Sequence, residues 1–251
     1  MFIRTPLLTA ALAGAALSAA PAASAERVID FSSVPAGTLL TEQIDGVTVS
    51  ANNANPDSPD AAITFDFNAD PRFFESGQFG PDWSMGNIDL STDLGNGVAI
   101  QGSTFSVPFE TERPAGTLIF DFDSPLDSFG FTVVDVEGPE EFVTDTGFFI
   151  EFLSGGDVIT EIDFEQFVNS GSDFFDPNIA FGNRSANRIA PITAAQLGVA
   201  SFDEVQVSLG GSSIVAQITV NEAATAVPSP TAAAAGLALL GGLLARRRKQ
   251  A

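Results

Sequence analysis

The amino-acid sequence predicts an all-β fold, a two-sheet antiparallel β-sandwich of the jelly-roll type. Short runs in which apolar and polar residues alternate recur from residue 26 to about residue 220, and such runs are typical of strands that bury one face. Clusters of Gly, Asn, Asp and Pro separate the runs, as turns and loops between strands require. No run has the periodicity of a long amphipathic helix.

Alternation predicts about ten strands, and turn residues predict how some of them are joined. Residues 204–209 and 214–220 alternate most regularly, and Gly210 and Gly211 between them predict a hairpin. Asp45-Gly46 and Gly155-Gly156 predict two more hairpins. The other predicted strands are 28–31, 39–44, 47–50, 63–67, 97–101, 117–122, 128–136, 148–153 and 158–164.

The remaining segments of this region are predicted to be loops. Residues 52–60, 73–85 and 170–187 are rich in Asn, Asp, Gly, Pro and Ser. Long surface loops on a rigid β scaffold are the usual position of functional residues. A short helical turn is predicted at 193–197, directly after Pro191.

Residues 1–25 are predicted to be a secretory signal peptide. Arg4 supplies a positive charge, a short apolar stretch follows, and Ala23 and Ala25 form an A-x-A cleavage site. The mature chain is then expected to start at Glu26, after export by the Sec machinery. The alternative, a membrane helix at the N-terminus, would need a longer apolar stretch.

The C-terminal segment combines two prolines, an apolar run and a basic end. A helix over 231–245 would be roughly 22 Å long, shorter than the ~30 Å hydrocarbon core of a membrane. The basic end would keep the C-terminus on the cytoplasmic side. We therefore predict a β-sandwich domain at 26–221, a linker at 222–230 and a short transmembrane helix with a basic tail at 231–249. The residues that define the segment are Pro228, Ser229, Pro230, Arg246, Arg247, Arg248 and Lys249.

This order of prolines, short apolar helix and arginines resembles the PEP-CTERM sorting signal of Gram-negative bacteria, with Ser229 in place of the usual Glu. The resemblance implies that an exosortase, a membrane cysteine protease-transpeptidase, recognises and cleaves the tail. It also implies transient inner-membrane association, followed by release to the cell surface or extracellular matrix. The segments FSSVPAGTLLTEQIDGVTVSA and FDEVQVSLGGSSIVAQITV are similar to those of β-sandwich domains in PEP-CTERM proteins, which implies a fold and no reaction. The alternative for the tail is a retained membrane anchor.

Composition excludes several classes of function. Without the terminal segments the chain has five basic and 32 acidic residues, a net charge of −27, so it repels nucleic acid. It has no His, no Cys and no Lys before position 249, which excludes imidazole bases, thiol nucleophiles, disulfides and Schiff bases. Only carboxylates could carry acid–base catalysis, and none of the many pairs can be preferred.

Two acidic segments are candidate calcium sites. Asp66, Asn68 and Asp70 offer oxygen ligands at alternate positions, as a calcium loop requires. Asp135 and Glu137, at the end of a predicted strand, would lie on one face, roughly 7 Å apart in extended chain. In both cases the alternative is an acidic strand end without a ligand.

Two classes of function remain. We expect a non-enzymatic adhesive or structural protein of the cell surface or of the exopolysaccharide matrix of a biofilm, with Ca²⁺ as the candidate stabilising ion. The alternative is a carbohydrate-active protein, either a sugar-binding module or a carboxylate-based glycoside hydrolase. Trp83 is the candidate contact residue for a sugar, because sugar sites favour flat amphipathic rings and the chain has one Trp and no Tyr.

Overall fold

A computed structural model of the chain describes residues 25–67, 86–88, 94–104, 107–109, 114–136, 148–182, 185–211 and 213–224. Within these ranges the protein is antiparallel β-sheet with one four-residue helix, α1 (Glu165–Val168). The all-β prediction is therefore confirmed. The strands are β1 (Arg27–Asp30), β2 (Val47–Asn53), β3 (Ala62–Asp66), β4 (Asn96–Thr104), β5 (Val107–Phe109), β6 (Gly116–Val134), β7 (Phe149–Ser154), β8 (Asp157–Asp163), β9 (Ala186–Thr193), β10 (Phe202–Leu209) and β11 (Ile214–Glu222).

The long strand β6, with 19 residues, organises the pairing. Its first half lies between β2 and β10, and its second half lies between β11 and β9. β7 and β8 follow β10, which completes a first group of strands: β2, β6, β10, β7 and β8. β4 and β3 follow β11, and β1, β5 and β9 also join this second group, β9 through the second half of β6. β6 is the strand that the two groups share.

β6 folds back on itself between its two halves. Rings of Phe120 and Phe129 are 5.9 Å apart between centroids, although nine residues of straight strand would span about 30 Å. Proximity of the strand ends is also required by the chain that follows, because Leu209 pairs with Gly116 while Ile214 pairs with Val134. Five residues of chain span at most about 18 Å.

The same contact pattern corrects a prediction. The predicted hairpin between residues 204–209 and 214–220 is wrong, since β10 and β11 pair with different halves of β6 and not with each other. Gly210 and Gly211 instead belong to the connection that takes the chain from the first group to the second. β11 also extends beyond the predicted strand, to Glu222 opposite Leu126.

Phenylalanine rings from both halves of β6 form the centre of the core. Phe129 lies 5.6 to 6.5 Å, between ring centroids, from Phe120, Phe122, Phe131 and Phe152. All five side chains are buried. Most phenylalanines of the described part of the chain are buried core residues.

Two of the predicted turns are confirmed. Asp45 and Gly46 have φ of 47° and 77°, and Gly155 and Gly156 have φ of 59° and 86°. Left-handed residues at both central positions are what a two-residue hairpin needs. The predicted strand at 39–44 is wrong, because only Leu39 and Ile44 make isolated bridges there.

Strand β9 was not expected from the sequence. It starts inside the predicted loop 170–187 and contains Pro191, which cannot donate a ladder hydrogen bond. Among the described strands β9 pairs with β6 alone, so the proline lies on an edge strand and near a register shift between Phe129 and Phe131. The predicted turn after it is confirmed, with the N–H of Leu197 donating to the carbonyl of Thr193 at 3.2 Å.

The chain divides into two compact units, Ser24–Ala223 and the terminal segments Met1–Ala23 with Ala224–Ala251. Every element above belongs to the first unit. The predicted signal peptide up to residue 24 and the predicted tail from residue 225 lie outside the described residues. A helix suited to crossing a membrane is not found among the residues that were described.

Candidate functional site

The predicted calcium residue Asp66 is the last residue of β3. It is half-buried and lies opposite Asn96 of β4. Asn68 and Asp70, the other two residues of that candidate site, lie outside the described ranges. The proposed loop of alternate oxygen ligands therefore stays a prediction.

Asp135 does not lie in an extended segment, contrary to the prediction. β6 ends at Val134, and Asp135 has φ of 63°, a left-handed conformation that Asp tolerates better than most residues. Its side chain is buried, its N–H donates to the carbonyl of Ser185 at 2.8 Å, and its carbonyl accepts from Oγ of Ser213 at 2.9 Å. Alternation therefore cannot assign Glu137, which lies outside the described residues, to the same face.

The two predicted calcium segments are separate in the fold. Strand order runs β3, β4, β11, β6, so three strand spacings, about 14 Å, separate Asp66 from the strand that leads to Asp135. Where the chain is described, no three acidic side chains lie close enough to hold a metal ion. Trp83 and the residues of the sorting segment, from Pro228 onward, are also outside the described ranges, as is Ala23; Ala25 is exposed, two residues before β1.

A different set of carboxylates is brought together by the first group of strands. Asp121 on β6 lies opposite Glu204 on β10, and Glu151 on β7 lies opposite Glu161 on β8. Their neighbours along each strand, such as Phe120 or Ile162, are buried, so these four side chains project away from the core. We call Asp121, Glu151, Glu161 and Glu204 the acidic face.

Within the acidic face, Glu151 has a raised pKa. Burial raises the pKa of its carboxyl, and the charges of Glu161 and Glu204 raise it further. Gln206, directly opposite Glu151, donates from Nε2 to Oε1 of Glu204 at 2.6 Å and so holds that carboxylate in place. Like charges on neighbouring strands disfavour each other, so the face favours bound or mobile cations.

Basic residues do not offset this charge. The five strands of the first group contain no Lys or Arg. Arg27 and Arg188 are the only basic residues in the described ranges, on β1 and β9 of the second group. Nη2 of Arg27 lies 3.3 Å from Oε1 of Glu222, and its Nη1 donates to the carbonyl of Asp45.

The chain matches no protein-family model, and comparison with curated proteins finds no similar sequence. The acidic face can concentrate cations and repel polyanions, and its residues Glu161 and Asp121 are exposed to solvent. Two clefts of the described part are lined by other residues, between 33 and 45 and between 167 and 196.

Proposed function

We propose that the protein is exported by the Sec machinery, sorted by an exosortase-like membrane protease, and acts without catalysis as an adhesive or structural component of the cell surface or exopolysaccharide matrix. The acidic face carries the proposal: four neighbouring strands each present a carboxylate, and none of the five strands in the group has a basic residue. A negative sheet face, with the reported clefts lined by other residues, suits many weak, cation-mediated contacts better than enclosure of one substrate.

We propose a two-sheet sandwich of the jelly-roll type for the domain, with the two groups of strands facing each other. The fold-back of β6 supports it, because the shared strand then passes from one sheet to the other. The contact between Phe129 and Phe152, 6.5 Å apart between ring centroids, supports it as well. Phe129 lies in the half of β6 that pairs with the second group, whereas Phe152 lies on β7 of the first group.

The ends of the β-rich unit support membrane processing at both termini. β1 and β11 are antiparallel neighbours with Arg27 opposite Val220, and Arg27 also forms the ion pair with Glu222. The first and last strands therefore begin and end at the same side of the sheet. This placement of both ends supports the proposal that the chain is processed at both termini.

Mass spectrometry of the protein isolated from cells tests the sorting proposal. We expect an N-terminus at Glu26 and no peptide that spans Pro230 to Arg246. Peptides across that segment in the surface protein would make the tail an anchor instead of a cleaved signal.

Matched charge variants test the role of the acidic face. The triple variant Glu151→Gln, Glu161→Gln, Glu204→Gln should reduce the fraction of protein retained in the matrix, because it removes cation-mediated contacts. The control variant Glu42→Gln, Asp57→Asn, Glu165→Gln removes the same charge from positions outside the acidic face. A chelator should release the wild type and the control protein. Equal retention of both variants would contradict the proposal.

One observation favours a carboxylate-based glycoside hydrolase as the second candidate. Glu151, with a raised pKa, lies opposite Glu161, and a protonated carboxyl beside an ionised one is the arrangement of a general acid and a nucleophile. The face is the weaker fit, because hydrolases enclose the sugar in a cleft. Release of reducing ends from matrix polysaccharide by the wild type, and its loss in both Glu151→Gln and Glu161→Gln, would favour this candidate over the first.

A further inference from the structure

A cleft of about 310 Å³ lies between α1, the loop that follows it and strand β9. Its floor is apolar, formed by the buried side chains of Phe167, Ile179 and Ile192. Small-molecule sites begin at about this volume and combine an apolar floor with a few polar groups. We call it the Phe174–Phe175 cleft, after the two rings that line it.

The rings differ in exposure. Phe174 is half-buried and packs edge-on against Phe167, with 6.3 Å between ring centroids. Phe175 is 37% exposed, and it is the one exposed aromatic side chain among those that the structure describes. Burial of its ring by a ligand would therefore be favourable.

Charge at the rim is negative. Asp173 is exposed and Asp176 is half-buried, and both line the cleft on either side of the rings in sequence. No basic residue lines the cleft within the described ranges. Arg188 lies two residues before the lining residue Ala190, so it is the one described cation close to the rim in sequence.

The loop that carries these residues is fixed by its own hydrogen bonds. The N–H of Asp176 donates to the carbonyl of Phe167 at 3.0 Å. The buried side chain of Asn187 clamps Ala180, with Oδ1 accepting from its N–H at 3.1 Å and Nδ2 donating to its carbonyl at 3.0 Å. A site held in this way loses little conformational entropy on binding.

Hydrogen-bonding groups for a polyhydroxyl ligand are few. Oδ1 of Asp176 already accepts from the N–H and Nδ2 of Asn178, and Oδ2 accepts from Nδ2 of Asn87 at 3.3 Å. Oε1 of Gln196 accepts from the N–H and hydroxyl of Thr193. Phenyl rings offer no hydroxyl, but their faces attract cations.

We infer that the Phe174–Phe175 cleft binds a small organic cation, an alkylammonium whose charge lies between the rim carboxylates and the phenyl rings. Its apolar body would lie on the floor formed by Phe167, Ile179 and Ile192. This site is distinct from the acidic face, and the inference does not depend on the proposed function.

Ligand-detected NMR titration of the protein, purified in the form that cells accumulate, tests the inference. The two cationic probes are tetramethylammonium and n-butylammonium. Their neutral counterparts are 2,2-dimethylpropan-1-ol and n-butanol, respectively. We expect saturable binding of the two cations and at least threefold weaker binding of the neutral molecules. Binding should weaken as salt concentration rises.

Variants at the rim test whether each residue strengthens or weakens binding of the cations. Phe175→Ala and Asp173→Asn should each raise the Kd of the cations about threefold, on the scale of exposed cation–π contacts. Arg188→Gln should lower the Kd about twofold, because it removes a nearby positive charge. Val158→Ala and Asp157→Asn, at exposed positions on β8, are the matched controls and should leave the Kd unchanged.

Equal affinity for the cations and their neutral counterparts would overturn the inference. Saturable binding of neutral oligosaccharides, lost in Phe175→Ala, would overturn it in favour of a sugar site. Phe175 and Asp173 are exposed, so both variants are expected to fold, which circular dichroism would verify.

Discussion

At the residue scale, the protonation of Glu151 links the acidic face to stability. Burial first, then Glu161 and Glu204, raises its pKa above the ordinary value of 4.5. The folded protein therefore binds the proton more tightly than the unfolded chain. This contribution to stability is complete below pH 4.5 and is lost as pH rises through the raised pKa of the folded state.

Glu151→Gln should therefore stabilise the protein at pH 7 by about 0.5 kcal/mol, the scale of one screened cross-strand pair. At pH 4 the same change should have almost no effect, because the carboxyl is then protonated. Chemical denaturation at both pH values measures this, with Glu42→Gln as the control. A loss of stability at pH 7 would contradict the electrostatic account of this face.

Phe129 is the residue on which both halves of β6 depend. Phe129→Ala should lower the free energy of unfolding by about 3 to 5 kcal/mol, because it leaves a cavity among four other rings. Phe129→Leu should cost less, since it keeps more of the volume. Urea titration of both variants measures the difference, and Val158→Ala, at a position that is 55% exposed, should stay within about 0.5 kcal/mol of the wild type.

At the element scale, the β7–β8 hairpin separates what the sequence can predict from what it cannot. Gly155 and Gly156 predict a two-residue turn, and the structure has it. A regular ladder from that turn would put Glu151 opposite Thr160. A register shift between Phe152 and Leu153 puts Glu161 there instead. The bulge lies outside the turn, so the turn residues do not predict which carboxylates are paired.

The other differences have similar causes. Alternation predicted that residues 204–209 and 214–220 are strands, but partner choice depends on the fold-back of β6, which is a tertiary feature. It also predicted separate strands at 117–122 and 128–136, whereas β6 continues through Ser124 and Pro125. Asp135 is buried like the residues before it, but its left-handed backbone, which overturns the predicted extended segment, has no signal in composition.

The hairpin turn itself gives a prediction at this scale. Gly155→Asn should be nearly neutral, because Asn adopts the left-handed conformation and Asn-Gly is a favoured pair in such turns. Gly156→Ala should cost about 1 kcal/mol, since φ of 86° strains a residue with a Cβ. Thermal melts of the two variants compare them directly. Equal loss of stability in both would mean that the turn does not set the hairpin geometry.

At the scale of the whole molecule, charge dominates. A net charge of −22 on the full chain opposes compaction, and salt or bound cations reduce that repulsion. In the described part, both basic residues lie on the second group of strands and none lies on the first. The repulsion between carboxylates is therefore concentrated on the first group.

Calcium should raise the melting midpoint by more than magnesium at equal concentration, if the segments at Asp66 and Asp135 bind it as the sequence predicts. Sodium chloride at matched ionic strength controls for screening. Asp66→Asn and Asp135→Asn, measured separately, assign the effect to one segment. The same midpoint with millimolar calcium, magnesium and matched sodium chloride would contradict both calcium sites.

The shared strand β6 also sets when the unit can fold. Its first half needs β10 on one edge, and its second half needs β11 on the other, yet these are the last two of the described strands. Until residues 202–222 are available, the first half of one edge of β6 and the second half of the opposite edge stay unpaired. A chain that is synthesised from its N-terminus therefore cannot complete its core until almost all of it has been made. Delayed closure of this kind keeps a polypeptide threadable through a narrow translocation channel until almost all of it has passed.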